Sequence, residues 1–284
     1  MKNNKKSIKC LIAMIVMVMA FTVTGVTAEA KTKTDKMTLL VGEKTGYTYI
    51  GMGKIKSVKS SKKSVVTAKK YRGGSLMTAK KAGKANVTVN GSRGKWIHKI
   101  TVKKASFKVN YTRTADGDFI VSFKNNSSVY LDRCQVTLTF KDSKGNKVTT
   151  ATAYMNVLGP KQTGYDTIMD PYYYDNIDYS KTTYTIDYNR SIDASYKNYS
   201  KKVKFTESKS GNYINIKAKT SYKGKGDIYI AYEVKYYDSK KQLIDVANYT
   251  TTLYKSRKNS TTQIYMPSSA ASYKITKRVM LKTY

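Results

Sequence analysis

The chain has 284 residues, 40% hydrophobic and 12% aromatic, with 53 Lys and Arg against 18 Asp and Glu, a formal net charge of +35. That apolar content excludes a wholly disordered chain, and the length allows two or three domains with a core in each. A single His and two Cys exclude a metal centre built from those residues.

The first 30 residues read as a signal peptide. Lys2, Lys5, Lys6 and Lys9 form a basic start, 11–23 is a continuous apolar run, and Ala28-Glu29-Ala30 is an A-x-A cleavage pattern. An uncleaved anchor is the alternative, because 10–28 is nearly long enough to span a bilayer. Cleavage would leave a chain starting at Lys31 with 49 basic and 17 acidic residues, a net +32, and Cys134 as its one cysteine. No disulfide can form within such a chain, which fits export from a Gram-positive bacterium. No later apolar run is long enough to span as a helix.

Residues 31–36 form a short polar leader. Short strands follow at 37–41, 45–50, 54–60, 65–69, 75–79, 84–89 and 96–102, punctuated by glycines such as Gly42, Gly73-Gly74, Gly83 and Gly91. About seven short strands with regular turns predict a β-sandwich. Leu39-Leu40-Val41-Gly42-Glu43, Ser60-Ser61-Lys62-Lys63-Ser64-Val65-Val66 and the long run from Met77-Thr78-Ala79-Lys80-Lys81-Ala82-Gly83 to Val87-Thr88-Val89 carry a resemblance. Through them, residues 36–103 resemble the bacterial immunoglobulin-like domain, group 2. The usual Trp-containing strand before Ser60 is missing, with Val58 in its place. The resemblance implies an extracellular sandwich used as a spacer or adhesive module, and no catalysis.

Beyond 105 the chain repeats itself. CQVTLTFKDSKGNKV (134–148) and IAYEVKYYDSKKQLI (230–244) are the same hairpin, 96 positions apart at Asp142 and Asp238. Cys134, Val136, Leu138 and Phe140 alternate with polar residues, as Ile230, Tyr232, Val234 and Tyr236 alternate with Ala231, Glu233 and Lys235. Each reads as a half-buried strand with one apolar face, followed by turn chemistry. Phe107-Lys108-Val109 matches Val203-Lys204-Phe205, 119–123 matches the strand of Ile214, Ile216 and Ala218, and 185–188 matches 281–284. The predicted architecture is therefore all-β: three tandem immunoglobulin-like antiparallel sandwiches at 31–104, 105–199 and 200–284. Copy one also resembles FxLYD-type secreted β-sandwich domains, through Phe123-Lys124-Asn125-Asn126-Ser127, the 136–145 hairpin and Leu158-Gly159-Pro160. That resemblance again implies binding or structure.

Only seven of the 53 basic residues are Arg. Lys is a hydrated point charge, whereas Arg is the fork that reads bases or clamps phosphate. Such a charge suits diffuse, salt-dependent attraction to a polyanion, and outside a Gram-positive cell those are teichoic acids and the anionic membrane surface. Lys62, Lys63, Lys69, Lys70, Lys80 and Lys81 are the candidate polyanion-binding residues. The competing reading is that Lys populates solvent faces and guards sheet edges.

The chemistry-bearing residues are few. His98 reads as a strand-surface histidine, and Cys134 as a small buried hydrophobe. The 166–179 loop, read as an insertion absent from copy two, carries Asp170, Tyr172, Tyr173, Tyr174, Asp175 and Asp178 as candidate ligand-binding residues. Its tyrosines suit stacking on sugar rings, and its carboxylates suit Ca²⁺ or, at the right separation, glycoside hydrolysis. Tyrosines packed back onto the sandwich are the competing picture. No catalytic motif, metal cluster or cofactor site is expected. The expected function is a secreted or cell-surface, non-catalytic binding, adhesion and scaffolding protein that associates with anionic cell-wall polymers or glycans. A carbohydrate-binding accessory protein is the alternative, and a secreted glycoside hydrolase comes last.

Overall fold

The structure, a computed structural model, describes residues 32–191 and 194–283. The predicted signal peptide lies outside these residues. The described residues form twenty β-strands and two short 3-10 turns. No helix among them is long and apolar enough to cross a membrane. The chain divides into two compact units, with the boundary in sequence between Ser106 and Phe107.

The 32–106 unit has seven strands: β1 (Thr32–Leu40), β2 (Lys44–Tyr47), β3 (Ile55–Ser60), β4 (Val66–Tyr71), β5 (Gly74–Ala79), β6 (Gly83–Gly91) and β7 (Lys95–Lys103). They form a four-stranded sheet in the order β1-β7-β6-β3 and a three-stranded sheet in the order β2-β5-β4. Alternation puts Ala85, Val87 and Val89 of β6 and Ile100 and Val102 of β7 inward, with Leu39, Val66 and Met77 from the other strands. Two glycines are needed locally. Gly42 turns the chain out of β1 at φ 95°, and a Cβ on Gly74 would lie 2.1 Å from the Tyr47 carbonyl oxygen.

The polar leader is corrected here. Residues 32–36 belong to β1, which runs parallel to β7 with Thr32 opposite Lys95 and Lys36 opposite Lys99. Backbone pairing does not require apolar side chains at a sheet edge, and Asp35 supplies an inward anchor described below.

The 107–284 unit contains both copies of the repeat. Copy one has β8 (Phe107–Arg113), β9 (Phe119–Asn125), β10 (Leu131–Lys141), β11 (Lys147–Leu158), β12 (Thr163–Ile168) and β13 (Thr183–Asn189). Copy two has β14 (Ser195–Asn198), β15 (Val203–Ser210), β16 (Tyr213–Thr220), β17 (Asp227–Tyr237), β18 (Leu243–Leu253), β19 (Asn259–Tyr265) and β20 (Ser272–Thr283). Sheets β11-β10-β13 and β12-β9-β8 in copy one correspond to β18-β17-β20 and β19-β16-β15 in copy two, where β14 adds an edge strand to β20. The hairpin register repeats faithfully: Val136 faces Ala153, and Tyr232 faces Tyr249, 96 positions on.

The last strand departs from that offset. Val136 faces Ile186, whereas its counterpart Tyr232 faces Lys277, only 91 positions on. The counterpart of 185–188 is therefore 276–279, not 281–284. The β12–β13 connection of copy one is the longer one, and the difference lies in the Tyr/Asp loop.

The half-buried reading of the second hairpin strand is also corrected. On β17, Tyr232, Val234 and Tyr236 are buried as expected, but so are Ala231 and Glu233 on the opposite face. Copy one covers that face. Arg278 of β20 pairs with Glu233 at 2.8 Å and donates from Nε to the Asn156 carbonyl of copy one. Glu233 accepts the Tyr165 amide of copy one, and the Lys235 ammonium lies 3.2 Å from the centre of the Tyr165 ring. Asn248 of β18 donates to the Tyr165 carbonyl and to Asp166, and Lys282 pairs with Asp132 at 2.9 Å. Val157, Ala231 and Met280 form a small apolar cluster at the same junction. The buried charges here are thus paired, although Arg278 Nη2 and Asp132 Oδ1 have no hydrogen-bond partner among the described residues.

Candidate functional site

Charge is divided unequally between the units. Residues 32–106 hold 19 Lys and Arg against two acids, a net +17 over 75 residues, while 107–284 hold 29 against 15, a net +14 over 178. Both acids of the smaller unit serve internal bonds. Asp35 accepts from Trp96 Nε1 and bonds His98 Nδ1, and Glu43 accepts the Leu40 amide.

The six lysines singled out from sequence are all exposed, and the fold brings them together in two groups. Lys62 and Lys63 lie in the turn after β3, and Val65 in that turn accepts from the amides of Lys80 and Lys81 in the β5–β6 turn. Those four lysines therefore share one end of the unit. Lys69 and Lys70 lie on β4, opposite Leu76 and Ser75. Lys69 and Lys80 also line a shallow trough of about 290 Å³ with Thr67, Ala68, Leu76 and Thr78. Five other lysines, not picked out from sequence, occupy the outer face of the β1-β7-β6-β3 sheet: Lys36, Lys59, Lys84, Lys95 and Lys99. Their common face follows only from strand register.

His98 is corrected from a surface to a core residue. It is fully buried. Its Nδ1 lies 2.7 Å from Asp35, its Nε2 lies 2.8 Å from the Tyr49 hydroxyl, and Tyr49 lies 2.6 Å from Ser75 Oγ. The neutral tautomer satisfies the chain: Nδ1–H donates to the carboxylate, Nε2 accepts from Tyr49, and Ser75 donates to the Tyr49 oxygen. Burial pushes the Tyr49 hydroxyl well above the usual tyrosine range. Tyr47 and Trp96 pack their rings on His98. Ser75, Tyr49 and His98 are all buried, and the relay ties β1, β5, β7 and the segment after β2 together. Cys134 is buried as expected, and burial raises its thiol pKa well above the ordinary value, which keeps it protonated and unreactive.

In the Tyr/Asp loop the carboxylates and the rings part company. Asp170 accepts from Arg113 at 2.7 Å and from the Tyr179 hydroxyl at 2.7 Å, while its amide donates to Asp118. Arg113 also lies over the Tyr179 ring at 4.1 Å. Asp178 caps the 3-10 turn at Tyr179–Lys181, accepting from the Ser180 amide and hydroxyl. Asp175 is exposed. No group of three or more metal-ligating side chains occurs among the described residues. Tyr172 and Tyr173 are 65% and 79% exposed, their ring centres are 4.1 Å apart, and Tyr174 is exposed beside them. Sequence reasoning missed Arg113 as the residue that fixes Asp170.

No protein-family model matches the chain, and no curated protein matches it. Among solved structures, trypsin-activated alpha-2-macroglobulin from Escherichia coli aligns at 10% identity over 87% of this chain and 23% of its own, with a TM-score of 0.17. Dimeric latent PorU from Porphyromonas gingivalis aligns at 8% over 88% of this chain and 32% of its own, with a TM-score of 0.18. The CBM22-1–CBM22-2 tandem of Paenibacillus barcinonensis Xyn10C aligns at 10% over 86% of this chain and 90% of its own, with a TM-score of 0.12. The chain thus spans about a quarter of the first of these and about a third of the second. Likenesses this shallow carry no argument about function.

Proposed function

We propose that this chain is an exported, non-catalytic binding and scaffolding protein held at a Gram-positive cell surface by attraction to anionic envelope polymers. The observation that carries this is the +17 charge of the 32–106 unit, whose two carboxylates are both engaged internally. The unit's lysines and arginines outnumber those carboxylates by 17, and the field they share attracts a polyanion over a Debye length of about 8 Å at physiological salt. In this reading 32–106 is the immunoglobulin-like binding module. The two copies of 107–284, bonded to each other through Arg278 and Glu233, carry the Tyr/Asp loop. Asp170 and Asp178, which a hydrolase would need, are bonded to Arg113, Tyr179 and Ser180. The test is binding of residues 31–284 to purified cell walls before and after teichoic acid is stripped. Retention that needs the polymer supports the reading, and equal retention on stripped walls rejects it.

A second reading, sugar binding, is favoured by the exposed Tyr172–Tyr173 pair, since neighbouring rings held outward can stack on sugars. Loss of signal on a glycan array with Tyr172→Ala/Tyr173→Ala would support it, and a blank array for the parent chain would end it.

A further inference from the structure

The outer face of the β1-β7-β6-β3 sheet has the lysine density and the lack of acid that a polyanion site needs. Register puts Lys36 of β1 directly opposite Lys99 of β7, and Asn86 of β6 on the other side of Lys99. Lys84 faces Thr101, one diagonal step from Lys99, and Lys95 faces Asn90. Lys59 of β3 faces Thr88. All five lysines are exposed. Neighbouring strands lie about 4.8 Å apart and same-face residues about 7 Å apart, so the ammonium groups spread over a broad, flat grid. The other outward groups near them are uncharged: Thr34, Asn86, Thr88 and Thr101, which can hydrogen-bond, and apolar Ile97 between Lys95 and Lys99. The unit's two carboxylates lie elsewhere: Asp35 points inward to His98, and Glu43 closes the turn after β1.

Like charges on neighbouring strands repel. Lys36 and Lys99 are register partners on the parallel β1–β7 pair, and neither carboxylate of the unit lies on this face to offset that repulsion. A negatively charged chain laid over the face would relieve it, because each phosphate would meet an ammonium and release its counterions. We infer that the outer face of the β1-β7-β6-β3 sheet is a docking platform for a linear phosphodiester polymer of the cell wall, centred on Lys36 and Lys99. The inference rests on the polyanion reading above and assigns it to a face. It displaces the turn lysines Lys62, Lys63, Lys80 and Lys81 from the main role. A flat grid of Lys, with no Arg fork, recognises repeating charge and leaves the sugar or polyol between phosphates unread.

The test uses residues 31–284 and a purified glycerol-phosphate polymer, with affinity measured from low to high salt. Three fourfold Lys→Gln variants are compared: Lys36, Lys59, Lys84 and Lys99 on the platform; Lys62, Lys63, Lys80 and Lys81 at the turns; and Lys204, Lys209, Lys217 and Lys219 on the other unit. The platform variant should flatten the log affinity against log salt slope by about three and weaken low-salt binding at least tenfold, with the other two changing the slope by less than about one. Its melting temperature without polymer should equal or exceed the parent's, since Lys36–Lys99 repulsion is removed. If it folds poorly, Lys99→Gln alone should lower the slope by about 0.8. Loss confined to the turn variant, or shared equally by all three, overturns the platform and leaves the polyanion reading standing. No binding by the parent at low salt removes both.

Discussion

Arg278 and Glu233 pair at 2.8 Å with side chains only 3% and 2% exposed, and each also bonds backbone of the other repeat copy. The pair is thus both an ion pair within copy two and a clamp on copy one. Removing one partner strands a buried charge and at least one backbone group. Arg278→Met should cost about 3–5 kcal/mol in urea unfolding, and Arg278→Met/Glu233→Leu should recover part of that loss. Because the clamp joins the copies, the single variant should also split the unfolding of 107–284 into two transitions where the parent shows one. An unsplit transition with a small loss would show that the junction does not depend on this pair.

The legible part of the fold was local. Alternation and the Asp-Ser-Lys turns fixed both hairpins, and the Val136–Ala153 and Tyr232–Tyr249 registers repeat as the sequence offset requires. What stayed hidden depends on distant partners. Glu233 reads as a solvent residue until copy one covers it, and His98 reads as a surface residue until Asp35 and Tyr49 arrive from β1 and the segment after β2. The slip of the final strand hides in a loop, where length carries no periodic signal. Individual lysines are visible in the sequence, but Lys36 and Lys99 become neighbours only through a parallel pairing of the unit's first and last strands.

The relay around His98 predicts a stability effect in the 32–106 unit. Tyr49→Phe leaves His98 Nε2 without its donor and Ser75 without its acceptor, both buried, at a cost of about 1–3 kcal/mol. Asp35→Ala should cost at least as much, because it strands the Trp96 and His98 donors together. Trp96 is the chain's one tryptophan, so its fluorescence on denaturant unfolding reports this unit alone. Unchanged midpoints in both variants would contradict the network.

Alkaline pH should unfold the 107–284 unit. Burial, with Asp132 adding to it, pushes Tyr196 up to about 12, and burial pushes Tyr232 up to about 12. The fold therefore holds these protons more tightly than the unfolded chain, where tyrosine ionises near 10. Their contribution is fully present below pH ~10 and is lost as pH rises through about 12. Thermal melts over that range, followed with tyrosinate absorbance, should show the midpoint falling as the hydroxyls ionise. Tyr196→Phe should weaken that dependence.

Cys134 predicts a simple probe of opening. It is fully buried at the centre of copy one, so a thiol reagent should modify it only through unfolding, at a rate that rises with denaturant. Fast labelling under native conditions would place the thiol outside the core.

The central claim is that the charge of the 32–106 unit binds an anionic wall polymer, and the most direct test is the salt dependence of that affinity for residues 31–284. The account predicts tight binding at low salt and a steep linear fall of log affinity with log salt, with a slope of about −3 or steeper if four or more contacts form. A flat dependence, or no binding at low salt, would contradict it and leave the lysines as solvated surface.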